Sequence, residues 1–313
     1  MKCLVTGAGG YIGNALVKRL VKEKYNVVGF IHESIPTEPD PAINYIKGDI
    51  SDYNSVKNIV KNIDIIFHCA AFVKDYGQEE QFYNINYKGT KNIVLACKFA
   101  NIGRFIYLSR IRYENRLKKN FYVKSKALAE KFLLDKYKSE KFPVVIIRPG
   151  NVYGPGAKIW VLKPLKSIQK NRFAFIDKGT GIFLHTYIEN LIDALISSMK
   201  RPGIIGESIE ITDGDNSITW NRYFNDLSSI LGCNPIRRNI SKESALKIGK
   251  IMLILNSIFK IEPWITPTAV DILTNRKKIS IEKAEKLLNY SPKVDYKEGM
   301  EKIKKWLKNE GYI

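Results

Sequence analysis

The chain has little of what builds metal centres or disulfide scaffolds. Its 313 residues include three histidines and four cysteines, and none of them cluster. Cys3, Cys69, Cys97 and Cys233 show no C-x-x-C spacing, and three lie inside apolar runs, so they read as buried thiols in a reducing compartment. With no paired His, no metal site is expected. Long apolar runs are absent too: no stretch approaches the roughly 18 residues needed to span a bilayer, so no stable membrane insertion is expected. Met1-Lys2 passes directly into the apolar Cys3-Leu4-Val5 with no room for a signal peptide, which predicts a cytoplasmic protein. Acidic residues are outnumbered, 31 against 51 Lys and Arg, for a net charge of +20. The lysines are spread along the chain rather than gathered into an arginine-rich tract, which argues for solvated helix faces and against nucleic acid. Such a surface still attracts anionic small molecules.

What is present is a regular alternation. Strand-like runs at Lys2–Thr6, Asn26–Ile31, Ile63–Cys69, Phe105–Ser109 and Val144–Arg148 are separated by helical patterns at Ile12–Lys22, Ser55–Lys61, Phe82–Ala100 and Tyr122–Tyr137. Short apolar strands between amphipathic helices predict an α/β fold, a doubly wound parallel sheet covered on both faces. After Pro149 the pattern becomes mostly helical. The expected organisation is a Rossmann domain over residues 1–150, with 183–212 returning to it. A smaller, mostly helical C-terminal substrate lobe is expected from 151–182 and 213–313.

The first strand leads into Thr6-Gly7-Ala8-Gly9-Gly10-Tyr11-Ile12-Gly13 and then a helix. Glycines at 7, 10 and 13 permit a tight turn, close approach of a pyrophosphate to backbone N–H groups, and close helix–strand packing. A nicotinamide dinucleotide is therefore the expected cofactor. The second strand ends Gly29-Phe30-Ile31-His32-Glu33, with Ile31 where an acidic residue would select NAD and His32 where a basic one would accept the 2′-phosphate of NADP. NADP is slightly favoured, and Glu33 keeps NAD open.

At this point the chain resembles the extended short-chain dehydrogenase/reductases, the superfamily of nucleotide-sugar epimerases and dehydratases, over nearly its whole length. Gly48-Asp49-Ile50 is similar to the segment that brackets adenine. Asp64-Ile65-Ile66-Phe67-His68-Cys69-Ala70-Ala71 resembles the D-x-V-x-H-x-A-A strand and cofactor loop. Asn86-Tyr87-Lys88-Gly89-Thr90 resembles N-V-x-G-T, whose Asn helps hold the active-site helix. Arg148-Pro149-Gly150-Asn151-Val152-Tyr153-Gly154-Pro155 resembles R-P-x-N-V-Y-G-P. Segments of the second half, among them Thr212-Asp213-Gly214 and Pro263-Trp264-Ile265-Thr266-Pro267, look like the 3β-hydroxysteroid dehydrogenase-like branch. The resemblance implies cofactor contacts at Gly7, Gly10, Tyr11, Ile12, Gly13, His32, Asp49, Ile50, Ala70, Ala71, Tyr122, Lys126, Pro149, Asn151 and Val152. It also implies possible dimerisation through helices like Phe82–Ala100 and Tyr122–Tyr137.

Tyr-x-x-x-Lys occurs four times, and position singles out Tyr122/Lys126, which opens the helix after a late strand and precedes Ala127-Leu128-Ala129-Glu130. Residues four apart share a helix face, and an ammonium there would stabilise a tyrosinate. Tyr122 is the expected acid/base and Lys126 its electrostatic partner. The family's active-site hydroxyl falls at Arg110 in ungapped register, and a one-residue shift gives the role to Ser109. The stretch from Ser109 to Tyr122 is also shorter than in the family. Arg110 and Arg112 are thus candidate substrate residues suited to an anion, with Tyr153 a candidate pocket residue. His68 reads as a structural loop residue. The apolar segment Ile248–Ile261 with its flanking lysines reads as lobe packing or a subunit contact, the alternatives being a membrane surface or a cover for a hydrophobic substrate.

The expected function is NAD(P)-dependent redox chemistry at a secondary alcohol or ketone, with an anionic nucleotide sugar the leading substrate. A 3β-hydroxysteroid- or flavonol-type ketone reductase is the alternative enzyme. A dinucleotide-binding sensor or scaffold with a degraded site is the non-enzymatic one.

Overall fold

A computed structural model of the chain describes residues 1–33, 39–98, 100–111 and 120–313. The first half follows the expected alternation: β1 (Lys2–Thr6), α1 (Tyr11–Lys22), β2 (Asn26–Ile31), β3 (Ile43–Lys47), α2 (Tyr53–Val56) and β4 (Ile65–His68). Next come α3 (Glu79–Phe82), a π-helical stretch Tyr83–Lys88 that runs straight into α4 (Gly89–Cys97), β5 (Arg104–Leu108), α5 (Phe121–Glu140) and β6 (Val144–Pro149). The second half holds β7 (Asn151–Tyr153), a π-helical turn Lys158–Leu162, α6 (Lys163–Gln169), β8 (Phe175–Ile176), β9 (His185–Tyr187), α7 (Ile188–Lys200) and β10 (Ser208–Ile211). It closes with α8 (Trp220–Ile230), β11 (Asn239–Ile240), α9 (Lys242–Phe259), α10 (Pro267–Leu273), α11 (Glu282–Leu288) and α12 (Tyr296–Asn309).

Seven strands form one sheet in the order β10-β6-β5-β4-β1-β2-β3, with every pairing parallel. The strand order reverses between β1 and β4, and the carboxyl ends on either side of that switch open the crevice where α/β sheets bind ligands. Alternation along β1 sends Cys3 and Val5 to one face, packed with Leu16 and Leu20 of α1 and Leu191 and Leu195 of α7. Leu4 points to the other face, among Ile93 and Val94 of α4 and Leu133 of α5. Both faces of the sheet are therefore dry, which is why its strands read as continuous apolar runs. The first of these cores continues into the second half through Trp220, Tyr223, Ile303 and Leu307.

Two expectations are corrected. The helix foreseen at Ser55–Lys61 is only the turn Tyr53–Val56, and the strand Ile43–Lys47 was not foreseen. That strand lies at the sheet edge, with Ile43 and Tyr45 packed on one core, Ile46 on the other, and Asn44 and Lys47 exposed.

The helix α9 leans on α10 through Ala245, Gly249 and Met252. A Cβ on Gly249 would lie 2.9 Å from the Pro267 nitrogen, so the two helices interlock there. Its outer side, with Ile251, Ile254 and Ile258, is exposed. Among the described residues no helix is long and apolar enough to cross a membrane.

Candidate active site

The turn after β1 is built for glycine. Gly7 has a positive φ of 71°, and a Cβ there would lie 2.8 Å from the Ala70 backbone; one on Gly13 would lie 2.1 Å from the Gly7 oxygen. The chain therefore folds back on itself against the Ala70–Ala71 loop, and α1 begins immediately beside it. Gly10 caps that helix without any side-chain hydrogen bond, and its first turn carries no acidic residue. Helix N–H groups left open in this way, with the positive end of the macrodipole behind them, suit a pyrophosphate. Across the crevice, just past β6, the Asn151 Nδ2 is buried with no protein partner. The cradle and this unused donor fit a dinucleotide.

Behind the cradle, His68 ties three elements together. Its Nδ1 lies 2.8 Å from the Thr6 hydroxyl and its Nε2 3.0 Å from that of Thr90. Thr90 donates to the Asn86 carbonyl, so it must accept from Nε2–H; Thr6 accepts from the Ala70 N–H and so gives its own proton to Nδ1. The hydrogen-bond chain thus assigns one tautomer. Burial, reinforced by the Lys126 charge, pulls the imidazole pKa down to about 3. His68 is a neutral structural residue, as the sequence reading held.

At the adenine end, His32 lies exposed, 3.8 Å from the Glu33 carboxylate and 4.0 Å from that of Asp49. Asp49 also accepts hydrogen bonds from the Ser51 N–H and hydroxyl, both at 2.8 Å. Asn92 donates to the carbonyls of Ile50 and Ser51 and fixes this turn against α4.

The helix α5 is capped by Asn120, whose Oδ1 accepts from the Val123 N–H at 3.0 Å. Asn86, within the π-helical stretch, holds the helix in place. It pairs with both backbone groups of Phe72 and donates to the Ser125 hydroxyl at 2.9 Å. Tyr122 is half-buried on the first turn. Lys126, one turn on, is buried, donates to the Leu108 carbonyl at 2.6 Å and lies 4.1 Å from the Tyr107 ring centroid. Burial pulls its ammonium down to about 7, opposed by the Glu130 charge.

The charge beside Tyr122 is not the one expected. The Arg110 guanidinium lies 6.0 Å from the Tyr122 ring centroid. Burial raises the phenol above its ordinary value, Arg110 draws it down, and Asp75 pushes it up. The Lys126 ammonium points to the end of β5, and at the phenol burial outweighs the Arg110 charge.

Ser109 is corrected as well. Its hydroxyl donates to the Glu130 carboxylate, which the Arg148 guanidinium grips through Nε at 3.1 Å and Nη2 at 2.6 Å. The hydroxyl is therefore spent in an internal knot beneath α5. Neighbouring residues at a strand end point to opposite sides, so the same geometry turns Arg110 toward Tyr122. Arg112 lies outside the described residues. Tyr153 is not brought to this site. It is fully buried among Phe183, His185, Tyr187, Tyr223 and Tyr296, with its hydroxyl against α12 at Gly299.

Asp75 went unnoticed in the sequence. It sits in the loop after β4 and accepts from the Thr266 hydroxyl at 3.3 Å. Burial raises its pKa, against the Thr266 hydrogen bond and the charges of Lys163 and Arg110. The Asn120 amide reaches both the Asp75 carbonyl (3.4 Å) and the Thr268 hydroxyl (2.8 Å), which ties the start of α5 to the start of α10. The Tyr122 phenol, the Arg110 guanidinium and the Asp75 carboxylate thus come together past the carboxyl ends of the strands.

The sequence profile of the NAD dependent epimerase/dehydratase family matches residues 3–211. A 2-alkyl-3-oxoalkanoate reductase from Stenotrophomonas maltophilia is 27% identical, over 97% of this chain and 98% of its own length. The decarboxylating sterol-4-alpha-carboxylate 3-dehydrogenase of Mus musculus is 25% identical, over 96% of this chain and 89% of its own. The crystal structure of UDP-glucuronic acid 4-epimerase from Bacillus cereus in complex with NAD superposes with a TM-score of 0.78 at 23% identity, covering 99% of each chain. At that identity the likeness speaks for the fold.

Proposed function

The chain belongs to the NAD dependent epimerase/dehydratase family, an enzyme family, and from that premise we propose that it interconverts a secondary alcohol and a ketone one carbon away from a carboxylate-bearing carbon. The observation that carries this reading is Arg110 beside Tyr122 where the family resemblance places a neutral hydroxyl. A guanidinium there offers a planar, two-pronged partner for a carboxylate. The names of two relatives describe substrates of that kind, a 3-oxoalkanoate and a sterol 4-carboxylate handled at carbon 3.

When bound, the dinucleotide supplies the hydride acceptor or donor. In the oxidative direction Tyr122 takes the hydroxyl proton as the carbon loses its hydride, and returns it in reduction. Arg110 holds the substrate carboxylate and lowers the cost of the tyrosinate. Lys126 would hold the nicotinamide ribose when the dinucleotide is bound. Residues 1–150 with 183–212 form the cofactor-binding unit, and 151–182 with 213–313 the substrate lobe. Glu33 and Asp49 around His32 would repel a 2′-phosphate, which favours NAD over the NADP leaning of the sequence. Assembly is proposed as a homodimer through the helices spanning Glu79–Cys97 and Phe121–Glu140.

The second reading is a nucleotide sugar, favoured by the net charge of +20 and by Lys163 close to Asp75. The test is a titration with NADH and NADPH followed by turnover of hydrophobic 3-hydroxy acids and of UDP-sugars. The proposal expects tighter NADH binding and turnover of the 3-hydroxy acids. It also expects Tyr122→Phe to lose about a thousandfold in turnover while cofactor affinity holds. Turnover of UDP-sugars alone would select the second reading. Cofactor binding without turnover of either would leave a sensor or scaffold.

A further inference from the structure

Among the described residues, the most exposed apolar surface lies on α9 and the turn that follows it. Ile258 is 63% exposed, Phe259 64% and Trp264 70%, with Ile251 and Ile254 also open. At about 100° per residue, Ile251, Ile254 and Ile258 share the side opposite Met252, and Lys247 and Lys250 continue that side one turn toward the N-terminus. Both lysines are exposed, as is Lys260 beyond the helix. The nearby Glu262 is neutralised by Lys163 at 3.4 Å.

We propose that this face docks on the surface of an anionic lipid bilayer, with the isoleucines, Phe259 and Trp264 entering the acyl boundary and Lys247 and Lys250 meeting lipid phosphates. Three observations favour that occupant. The apolar stripe is flanked by cations, the arrangement of helices that lie in a membrane interface. An aromatic ring with one polar atom stands out at its edge, as in interfacial belts. The chain carries a net charge of +20, so an anionic bilayer attracts the face whereas a second copy repels it. The patch also adjoins the site: Thr266, two residues past Trp264, donates to Asp75. Docking there would present the pocket to substrates dissolved in the bilayer.

Flotation of the full-length protein with phosphatidylcholine vesicles, with and without phosphatidylglycerol, tests this. Recovery is expected with the anionic vesicles only, falling as salt rises, with a blue shift of tryptophan emission that Trp264→Phe removes. Ile254→Asp with Ile258→Asp should cut recovery at least about tenfold. These positions are solvent-facing, so circular dichroism and turnover of a water-soluble substrate should match the parent. Failure to float with the parent protein, equal recovery of the variant, or equal binding to neutral vesicles would overturn the proposal. So would a dimer, measured by light scattering, that the same two substitutions abolish. None of these results depends on which substrate the site accepts.

Discussion

Ser109 and Arg110 are neighbours in the chain and opposites in their surroundings. Ser109 faces inward, where its hydroxyl proton goes to Glu130, the carboxylate that Arg148 also grips. Arg110 faces Tyr122 and the field of Asp75, where every charge acts on a titrating group. The inner knot is arranged to be finished: a buried carboxylate held by a fork of N–H donors and a hydroxyl is affordable only when complete. The outer cluster is arranged differently: Arg110 lowers and Asp75 raises the pKa of the Tyr122 phenol, so its charges bear on a titratable hydroxyl. Stability is expected to reside in the first and specificity in the second.

That contrast can be broken at several points. The largest effect is expected from Glu130→Ala, which strands the Arg148 guanidinium; urea melts should show a loss of about 3–5 kcal/mol. If stability were unchanged, the knot would contribute nothing and the contrast would fail. Arg110→Met comes next. It should leave the melting temperature within a few degrees yet raise KM for a carboxylate substrate about 10- to 100-fold. Because Arg110 lowers the Tyr122 pKa, its loss should also move the alkaline-going limb of the oxidation rate to higher pH. A drop in stability with KM unchanged would instead make Arg110 a second structural residue. The smallest effect is expected from Asp75→Asn. Removing an anion that raises the Tyr122 pKa should shift the same limb to lower pH, by less than the Arg110 variant shifts it upward. A shift in the same direction for both variants would show that the phenol does not sense these charges.

Much of the molecule could be read before its structure was known, and the reasons for the exceptions are physical. Strands buried on both faces and amphipathic helices announce themselves by periodicity, which is why α1 and α5 lie where the pattern placed them. The strand Ile43–Lys47 did not, because its five residues mix apolar and exposed polar side chains with no clean period. The glycine turn was legible since glycine alone tolerates its contacts. Between Ser109 and Arg110 the sequence left the choice open. Which one faces outward depends on the residue where β5 stops, and no composition encodes that. Asp75 carried no signal, since its partner Thr266 lies 191 residues away along the chain. Tyr153 was misplaced because the chain turns after Pro149 and buries the ring in an aromatic cluster shared with α8 and α12.

The interlock of Gly249 with Pro267 gives the molecule a lever. With no room for a Cβ between them, α9 cannot slide independently of the N-terminus of α10, and that terminus is fastened to Asp75 by Thr266 and to Asn120 by Thr268. Any push on the outside of α9 is therefore delivered to the loop and helix end on either side of Tyr122. Contact made at the surface and chemistry performed in the cleft are mechanically in series.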